Sequence, residues 1–242
     1  MIKYIIITLL LMLINSTFWA QNISFKYDSK YYFLGIKGDY LGLGYVKEKA
    51  DSFPSEWFYE EDYYELYLLD SLFKLSNSNG DVKIKYTIIN RGKGYHDIQV
   101  KYDLISEELN KFVVSFYQFR RSKFLTEEGY KIYTGRLKYC KIRRSTDEQI
   151  ISFLAGAYFF YSYSKEGNYC IHMPNSFSKV LVIKKLLKKY GCKEIKYIIN
   201  KEGTPYVHKL QFIPSENLKL VFDHEKEVEW NLKSRWNQLK QP

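Results

Sequence analysis

The chain has 242 residues, of which 46% are hydrophobic and 18% aromatic, and it carries a formal net charge of +10. This length and composition allow one large or two small domains with a buried core, and they exclude a disordered chain. The positive charge favours anionic partners. Because the sequence has no clustered arginine motif and no recognisable nucleic-acid-binding module, nucleic acid is not expected among those partners.

The N-terminus has the pattern of a secretory signal peptide. Lys3 precedes an apolar run from Ile5 to Ile14, and a short polar-to-small segment ends at Ala20. Cleavage there removes residues 1–20, which hold one lysine and no acidic residue, and lowers the net charge from +10 to +9. The apolar run is short for a membrane span, so a retained anchor is the weaker alternative. These features predict a periplasmic or secreted protein.

Residues 21–104 are predicted to be rich in β-strands. Apolar and polar residues alternate from Val82 to Ile88 and again from Ile98 to Tyr102, with a turn signal between the two runs. This pattern predicts a hairpin. The stretch Trp57–Tyr67 is dense in aromatic residues and leaves two interpretations open, which are stacking on sugars and filling a sheet surface.

The apolar period changes to that of helices in the second half of the chain. Three helices are predicted, each opened by a polar capping residue: Ser106, Thr146 with Gln149 three residues on, and Asn175 or Ser176. The third helix is amphipathic and ends at Gly191. A strand at 194–200, a hairpin and a closing helix follow. The residues expected on the buried helix faces include Leu109, Phe112, Val113, Phe116, Ile150, Leu154, Ala157, Tyr158, Tyr161, Val228, Leu232 and Leu239.

The sequence therefore predicts an α+β protein, with a strand-rich N-terminal half and a helix-plus-antiparallel-sheet C-terminal half. The corresponding division is a signal peptide at 1–20, a strand-rich region at 21–104 and an α+β region at 105–242. No linker rich in proline, glycine or serine separates the last two regions, so a single composite domain is the alternative. No internal repeat is visible in the sequence.

The three cysteines, Cys140, Cys170 and Cys192, all lie in the mature chain. In an oxidising compartment two of them can pair, and Cys170 and Cys192 flank one predicted helix. Cys170 and His172 are two metal-ligand types on one side of a strand, but without further partners they are interpreted as core residues. No cofactor and no metal is expected.

The stretch TPYVHKLQFIPSENLKLVFDH, residues 204–224, alternates like a β-hairpin with a loop at Pro214–Asn217. That register places His208 opposite Asp223, with Cβ atoms roughly 4.5–5.5 Å apart. A carboxylate at this distance orients and charges an imidazole as in a nucleophile–histidine–acid triad. The alternative is a cross-strand polar pair that only stabilises the hairpin.

The order of a helix, a strand and a hairpin with His and then Asp resembles the transglutaminase-like, papain-related fold over residues 146–224. The stretch SFSKVLVIKKLLKKYGC has Gly191 fifteen residues after Ser176, and Asp223 follows His208 by fifteen residues. The resemblance implies that Ser176 stands in place of the nucleophilic cysteine, and that Ser176, His208 and Asp223 form the candidate catalytic site. The alternative for Ser176 is a helix N-cap.

Because serine replaces the cysteine, the predicted function is an exported, non-catalytic binding module of the cell envelope. Its expected partners are an anionic envelope glycan, a peptide or a protein, with no nucleic acid and no stable membrane span. One alternative is an active hydrolase or acyltransferase that uses Ser176, His208 and Asp223, with backbone N–H groups at the helix start as the oxyanion site. A second alternative is a structural envelope protein without a cleft.

Overall fold

The computed structural model describes residues 26–39, 42–46, 55–80, 83–93, 100–163, 169–201 and 205–239. The predicted signal peptide lies outside these residues. The helices are α1 (Ser29–Ile36), α2 (Tyr63–Ser78), α3 (Glu107–Phe116), α4 (Tyr139–Ile142), α5 (Asp147–Tyr161), α6 (Phe177–Lys189) and α7 (Glu216–Leu239). The strands are β1 (Leu43–Val46), β2 (Glu56–Tyr59), β3 (Thr87–Lys93), β4 (Val100–Ile105), β5 (Tyr117–Leu125), β6 (Lys131–Leu137), β7 (Tyr169–Pro174), β8 (Lys193–Asn200) and β9 (Val207–Ile213).

The strands form three antiparallel sheets of three strands each. We call them sheet 1 (β2-β4-β3), sheet 2 (β7-β9-β8) and sheet 3 (β1-β6-β5). The predicted α+β class is confirmed. Within the described ranges, no helix combines the length and the apolar character that crossing a membrane requires.

Two segments of the chain repeat one topology. The first runs through α1, β2, α2, β3, β4 and α3, and the second runs through α5, β7, α6, β8, β9 and α7. In both, the last strand lies at the centre of its sheet. Strand β1 of the first segment and the β5–β6 hairpin between the segments form sheet 3. The sequence shows no corresponding repeat, because a topology depends on apolar periodicity and turns and requires no shared residues.

The first helices of the two segments, α1 and α5, cross at a pair of glycines. A side chain at Gly35 would overlap the backbone of Phe153 and Ala157, and one at Gly156 would overlap the carbonyl of Tyr32. Each glycine thus lies against the carbonyl three residues before the other glycine, which makes the contact nearly two-fold symmetric. Apolar residues from both sides of residue 104 surround this contact in one buried cluster.

The helices predicted in the second half of the chain are confirmed, and two of the three predicted side-chain caps are formed. The Ser106 side chain accepts a hydrogen bond from the Leu109 amide at the start of α3, and Thr146 and Gln149 form the predicted capping box of α5. Helix α6 ends before Gly191, whose φ of 78° suits glycine. The predicted hairpin also exists as β3 and β4, although the described β3 begins at Thr87.

The strand-rich description of residues 21–104 is wrong in part, because α1 and α2 lie in that region. The ambiguous stretch Trp57–Tyr67 contains the end of β2 and the start of α2. Alternation holds only over β2, where Glu56 and Phe58 are buried and Trp57 and Tyr59 are exposed. Helix α2 then buries Leu66, Leu69 and Phe73 at the spacing of a helix.

The predicted hairpin at 204–224 is also wrong in its second half. Strand β9 is present, but α7 begins at Glu216 and includes Asp223 and the predicted closing helix. Leu218, Val221, Phe222 and Glu225 are buried at i, i+3, i+4 and i+7, whereas Leu220 is exposed. The segment therefore satisfies a helical period, and its alternating apolar residues did not distinguish strand from helix.

We expect Gly156→Ala to destabilise the protein by roughly 1–3 kcal/mol, because the added methyl group meets the backbone of α1, which has no room to move aside. The urea midpoint of unfolding measures the change. Gly44→Ala is the matched control, since no atom lies within 4 Å of a Cβ added there. Equal midpoints for the two variants would show that α1 and α5 do not touch.

A buried glutamate joins α7 to α1. Glu225 is almost fully buried, and its Oε2 accepts a hydrogen bond from the Tyr32 hydroxyl at 2.5 Å. Burial raises the pKa of Glu225 to about 7, against the opposing effect of the Tyr27 and Tyr32 hydroxyls. The folded protein therefore binds a proton between pH 4.5 and 7 that the unfolded chain has released, and the free energy of unfolding falls as the pH rises through this window.

Glu225→Gln removes this ionisation, because an amide carries no titratable proton. We expect the stability of the variant relative to wild type to increase between pH 4.5 and 7, by an amount on the order of 3 kcal/mol. Urea unfolding across this pH range measures the difference. Glu227→Gln, on the exposed side of the same helix, serves as the control and should run parallel to wild type. A constant difference for Glu225→Gln would contradict the assignment.

Candidate functional site

The three residues of the predicted triad do not form a connected row. His208 lies on β9 opposite Met173 and Ile199, and its Nδ1 is 2.7 Å from the Tyr197 hydroxyl. Burial lowers the pKa of His208.

Asp223 lies on α7, where it accepts a hydrogen bond from the Tyr169 hydroxyl at 2.6 Å and pairs with Lys219 at 3.0 Å. Ser176 precedes α6, and its hydroxyl donates to the Pro174 carbonyl at 3.2 Å. Its side chain forms no capping bond with α6. The predicted His208–Asp223 register is wrong, because residue 223 is helical.

The cysteines show no disulfide. Cys170 and Cys192 are buried free thiols and Cys140 is an exposed one. Burial raises the pKa of both Cys170 and Cys192, which makes their thiolates scarce at neutral pH.

A group of charged and hydroxyl side chains is buried where α1 and α5 end. We call it the polar cluster and define it as Lys37, Asp39, Glu56, Tyr161 and Lys179. The C-terminal residue of α5, Tyr161, donates its hydroxyl hydrogen to the Ile36 carbonyl of α1 at 3.2 Å. The two helix ends therefore meet at one place, as the glycine contact requires.

Lys179 is the most buried cation of the polar cluster. Its ammonium donates to the Lys37 carbonyl at 2.6 Å, just beyond the C-terminus of α1, where the helix carries partial negative charge. The ammonium also lies 5.4 Å from the centre of the Tyr161 ring. Burial lowers the pKa of Lys179 to about 8, against the opposing effects of Asp39 and Glu56.

The two carboxylates of the cluster differ in how well they are satisfied. Glu56 accepts backbone N–H bonds from Gly38 at 2.6 Å and Trp57 at 3.1 Å, and it lies 3.5 Å from the Lys37 ammonium. Asp39 accepts from the hydroxyls of Tyr117 and Ser178 through Oδ2, while Oδ1 is buried with no donor among the described residues. Burial raises the pKa of Asp39, opposed by Lys179.

A cavity of about 430 Å³ lies over the polar cluster. The outer faces of all three sheets reach its lining: Gly44 from sheet 3, Trp57 and Tyr59 from sheet 1, and Pro174 from sheet 2. By outer face we mean the side that alternates with the buried side of each strand. One cavity therefore takes lining residues from all three sheets, and Leu43 and Glu56 add residues from the buried sides of two of them.

The strands carry an excess of positive charge. The nine strands carry eleven Lys or Arg residues against three acidic ones, whereas the seven helices carry thirteen against eleven. The register places six of these strand cations on the outer faces: Arg120 and Arg136 on sheet 3, Arg91 and Lys101 on sheet 1, and Lys196 and Lys209 on sheet 2. On sheet 1 the outward Asp103 pairs with both Arg91, at 2.8 Å, and Lys101, at 3.6 Å. Arg120 is in the same cross-strand row as Gly44, which lines the cavity.

The polar cluster does not fit a metal centre. Both Glu56 oxygens accept backbone N–H groups, and the buried Lys179 ammonium already offsets the charge of Asp39. At the end of α5 the position equivalent to Asp39, four residues past the crossing glycine, is Phe160, which offers no metal-ligand atom. Across the described ranges, no three His, Cys, Asp or Glu side chains are grouped to hold a metal ion.

The chain was compared with known proteins. No family model matches it, and no curated protein matches it. Solved structures of the homing endonuclease I-DmoI are similar in fold. The complex with DNA and Ca is 16% identical, with a TM-score of 0.46 over 81% of this chain and 87% of that chain. The complex with DNA and Mn is 16% identical, with a TM-score of 0.45 over 81% and 94%.

These findings correct three predictions. The transglutaminase-like resemblance is wrong, because Asp223 lies on a helix and not on a second hairpin strand, and the similar structures are of a homing endonuclease. Several of these structures contain that endonuclease with its target DNA, and none is of an envelope protein, so the exclusion of nucleic acid and the exported envelope-binding module are withdrawn. The hydrolase or acyltransferase alternative loses its site, because Ser176, His208 and Asp223 have separate partners. The periplasmic or secreted localisation stays a prediction.

The sequence analysis missed the polar cluster, although one signal for it was available. Lys179 precedes Ile183 by four residues and Leu186 by seven, so it occupies a buried position in the helical period of α6. A lysine at such a position is costly to bury and usually has a specific partner. Asp39 and Glu56 carry no comparable signal, because the contact that brings them together joins distant parts of the chain.

We expect the free energy of unfolding of wild type to rise relative to that of Lys179→Met between pH 8 and 10.5, by an amount on the order of 3 kcal/mol. In this window the unfolded chain still binds the Lys179 proton that the folded protein has lost, so stability increases with pH. Urea unfolding at several pH values measures the difference. Lys188→Met, exposed on the same helix, should show no such divergence from wild type. Parallel curves for Lys179→Met would show that Lys179 titrates normally.

Proposed function

We propose that the protein binds double-stranded DNA across the outer faces of its three sheets. The observation that carries this function is the group of six outer-face cations distributed over three sheets, each of which also contributes residues to one cavity. Lysine and arginine on a surface of this kind neutralise phosphates and release counterions. A neighbouring Trp57, with the Lys101 ammonium 4.4 Å from its ring centre, adds an aromatic group to the cationic surface.

The shape of the surface favours DNA over double-stranded RNA. The major groove of B-form DNA admits a two-stranded β-ribbon, and each sheet presents such ribbons on its exposed side. The major groove of A-form RNA is too deep and narrow for side chains to read. Strands that carry cations on their outer faces are therefore suited to a DNA duplex.

We expect the double substitution Arg120→Ala with Arg136→Ala to weaken binding to a DNA duplex by about tenfold at moderate salt. Both side chains are exposed on the outer face of sheet 3. The slope of log affinity against log salt should decrease by as much as about 2, since each lost phosphate contact changes it by roughly 1. Fluorescence anisotropy with a labelled duplex over a salt series measures both quantities.

The matched control is Arg143→Ala with Arg144→Ala. These two exposed arginines precede α5, and the cavity lies at the other end of that helix, about 20 Å away for its fifteen residues. The control removes the same charge and should leave the salt slope close to that of wild type. If both double variants weaken binding equally, net charge and not the sheet surface is responsible. If the duplex and a polyglutamate of equal charge bind equally well, the proposal fails.

A further inference from the structure

Aromatic rings line one side of the cavity. Trp57 and Tyr59 are consecutive outward residues of β2, with 52% and 43% of their surface exposed, and Phe160 from the end of α5 also lines the cavity. Aromatic residues this exposed leave ring faces free for a ligand to cover. A nucleobase stacked on such a ring contributes roughly 1–3 kcal/mol to binding and requires no particular base.

One residue of the cavity lining has a hydrogen-bond acceptor without a donor. Asp39 lines the cavity, is only 1% exposed, and its Oδ1 receives no hydrogen bond from any described residue. A buried acceptor in this state is unfavourable until a donor reaches it. Carboxylates recognise cytosine by accepting from its N4 amino group, and the amino groups of other bases can be bound in the same way.

From these two observations we infer that the cavity takes up one unpaired base from bound DNA, stacked on Trp57 and bonded through an exocyclic amino group to Asp39. The inference rests on the proposed DNA binding and specifies that the DNA recognised is a duplex with an unpaired base. The cavity volume of about 430 Å³ lies within the usual range for small-ligand pockets. A base inside a paired duplex cannot reach such a pocket, so it must be extruded or already unpaired.

The charges beside the cavity suit the backbone of an extruded nucleotide. The Lys101 ammonium lies over the Trp57 ring and is paired across strands with Tyr59. A base stacked on Trp57 would therefore have a cation close to its phosphate. The energy needed to unstack a base is lowest where the base has no partner, which makes a bulge or mismatch the preferred site.

The experiment compares four duplexes of one sequence, in which one position is fully paired, a bulged cytosine, a bulged thymine or a bulged abasic site. We expect wild type to bind the cytosine bulge on the order of tenfold more tightly than the paired duplex, with the abasic bulge close to the paired duplex. The abasic duplex separates recognition of the base from flexibility of the DNA. A bulged 2-aminopurine, which fluoresces less when stacked, should lose fluorescence on binding.

Two variants test the named contacts. Trp57→Ala should reduce affinity for the cytosine bulge to that for the abasic bulge, whereas Trp230→Ala, an exposed tryptophan on α7, should retain the preference. Asp39→Asn should reduce the advantage of cytosine over thymine, because an amide accepts a hydrogen bond less well than a carboxylate. Circular dichroism of each variant verifies that it is folded.

The failures can be told apart. Salt-dependent binding of the paired duplex with no preference for any bulge would overturn the inference and leave the proposed function intact. Equal binding of the cytosine and abasic bulges would also overturn it. Absence of salt-dependent binding to every duplex would overturn the proposed function itself.

Discussion

The close contact of α1 and α5 at Gly35 and Gly156 determines where the rest of the molecule lies. Because the two backbones touch, the ends of the helices lie close enough for Tyr161 to reach the Ile36 carbonyl. The topology repeated in the two segments gives each helix a three-stranded sheet of the same strand order. A larger residue at either crossing would move the sheets apart and open the cavity between them.

The same closeness of the helix ends explains why charged groups are buried in the centre of the protein. Helix ends carry unsatisfied carbonyls, and Lys179 donates to the carbonyl just past the end of α1. The Lys37 ammonium lies 3.5 Å from Glu56, and the positive charge of Lys179 favours the ionised form of Asp39. The interior therefore contains charges of both signs that offset each other. The excess positive charge lies instead on the strands, on faces that the helices leave uncovered. Positive and negative charges thus offset each other in the interior, whereas positive charge exceeds negative charge on the strands.

The sequence predicted local features well where a chemical signal was specific. The capping box at Thr146, the cap at Ser106 and the stop at Gly191 define α5, α3 and α6, and each depends only on neighbouring residues. It failed at α7, where residues 218–225 satisfy both an alternating and a helical period, and the packing of α7 against α5 decides between them.

The polar cluster could not be found by such signals. Asp39 and Lys179 are 140 positions apart, and only the crossing of α1 and α5 brings their elements together. The hypothesis of a triad used a correct strand and a correct helix, but its register depended on the segment that became helical. The residue spacing therefore matched the transglutaminase-like fold, although the tertiary arrangement of these residues differs from that fold.

Sheet 3 introduces an asymmetry into an otherwise duplicated fold. Sheets 1 and 2 are counterparts, but sheet 3 pairs β1 of the first segment with the connecting hairpin, and the described part of the second segment holds no equivalent of it. The cavity lining is correspondingly unequal: ten of its fourteen residues come from the first segment and four from the second. The two halves of a ligand that is itself symmetric would therefore make unequal contacts in this cavity.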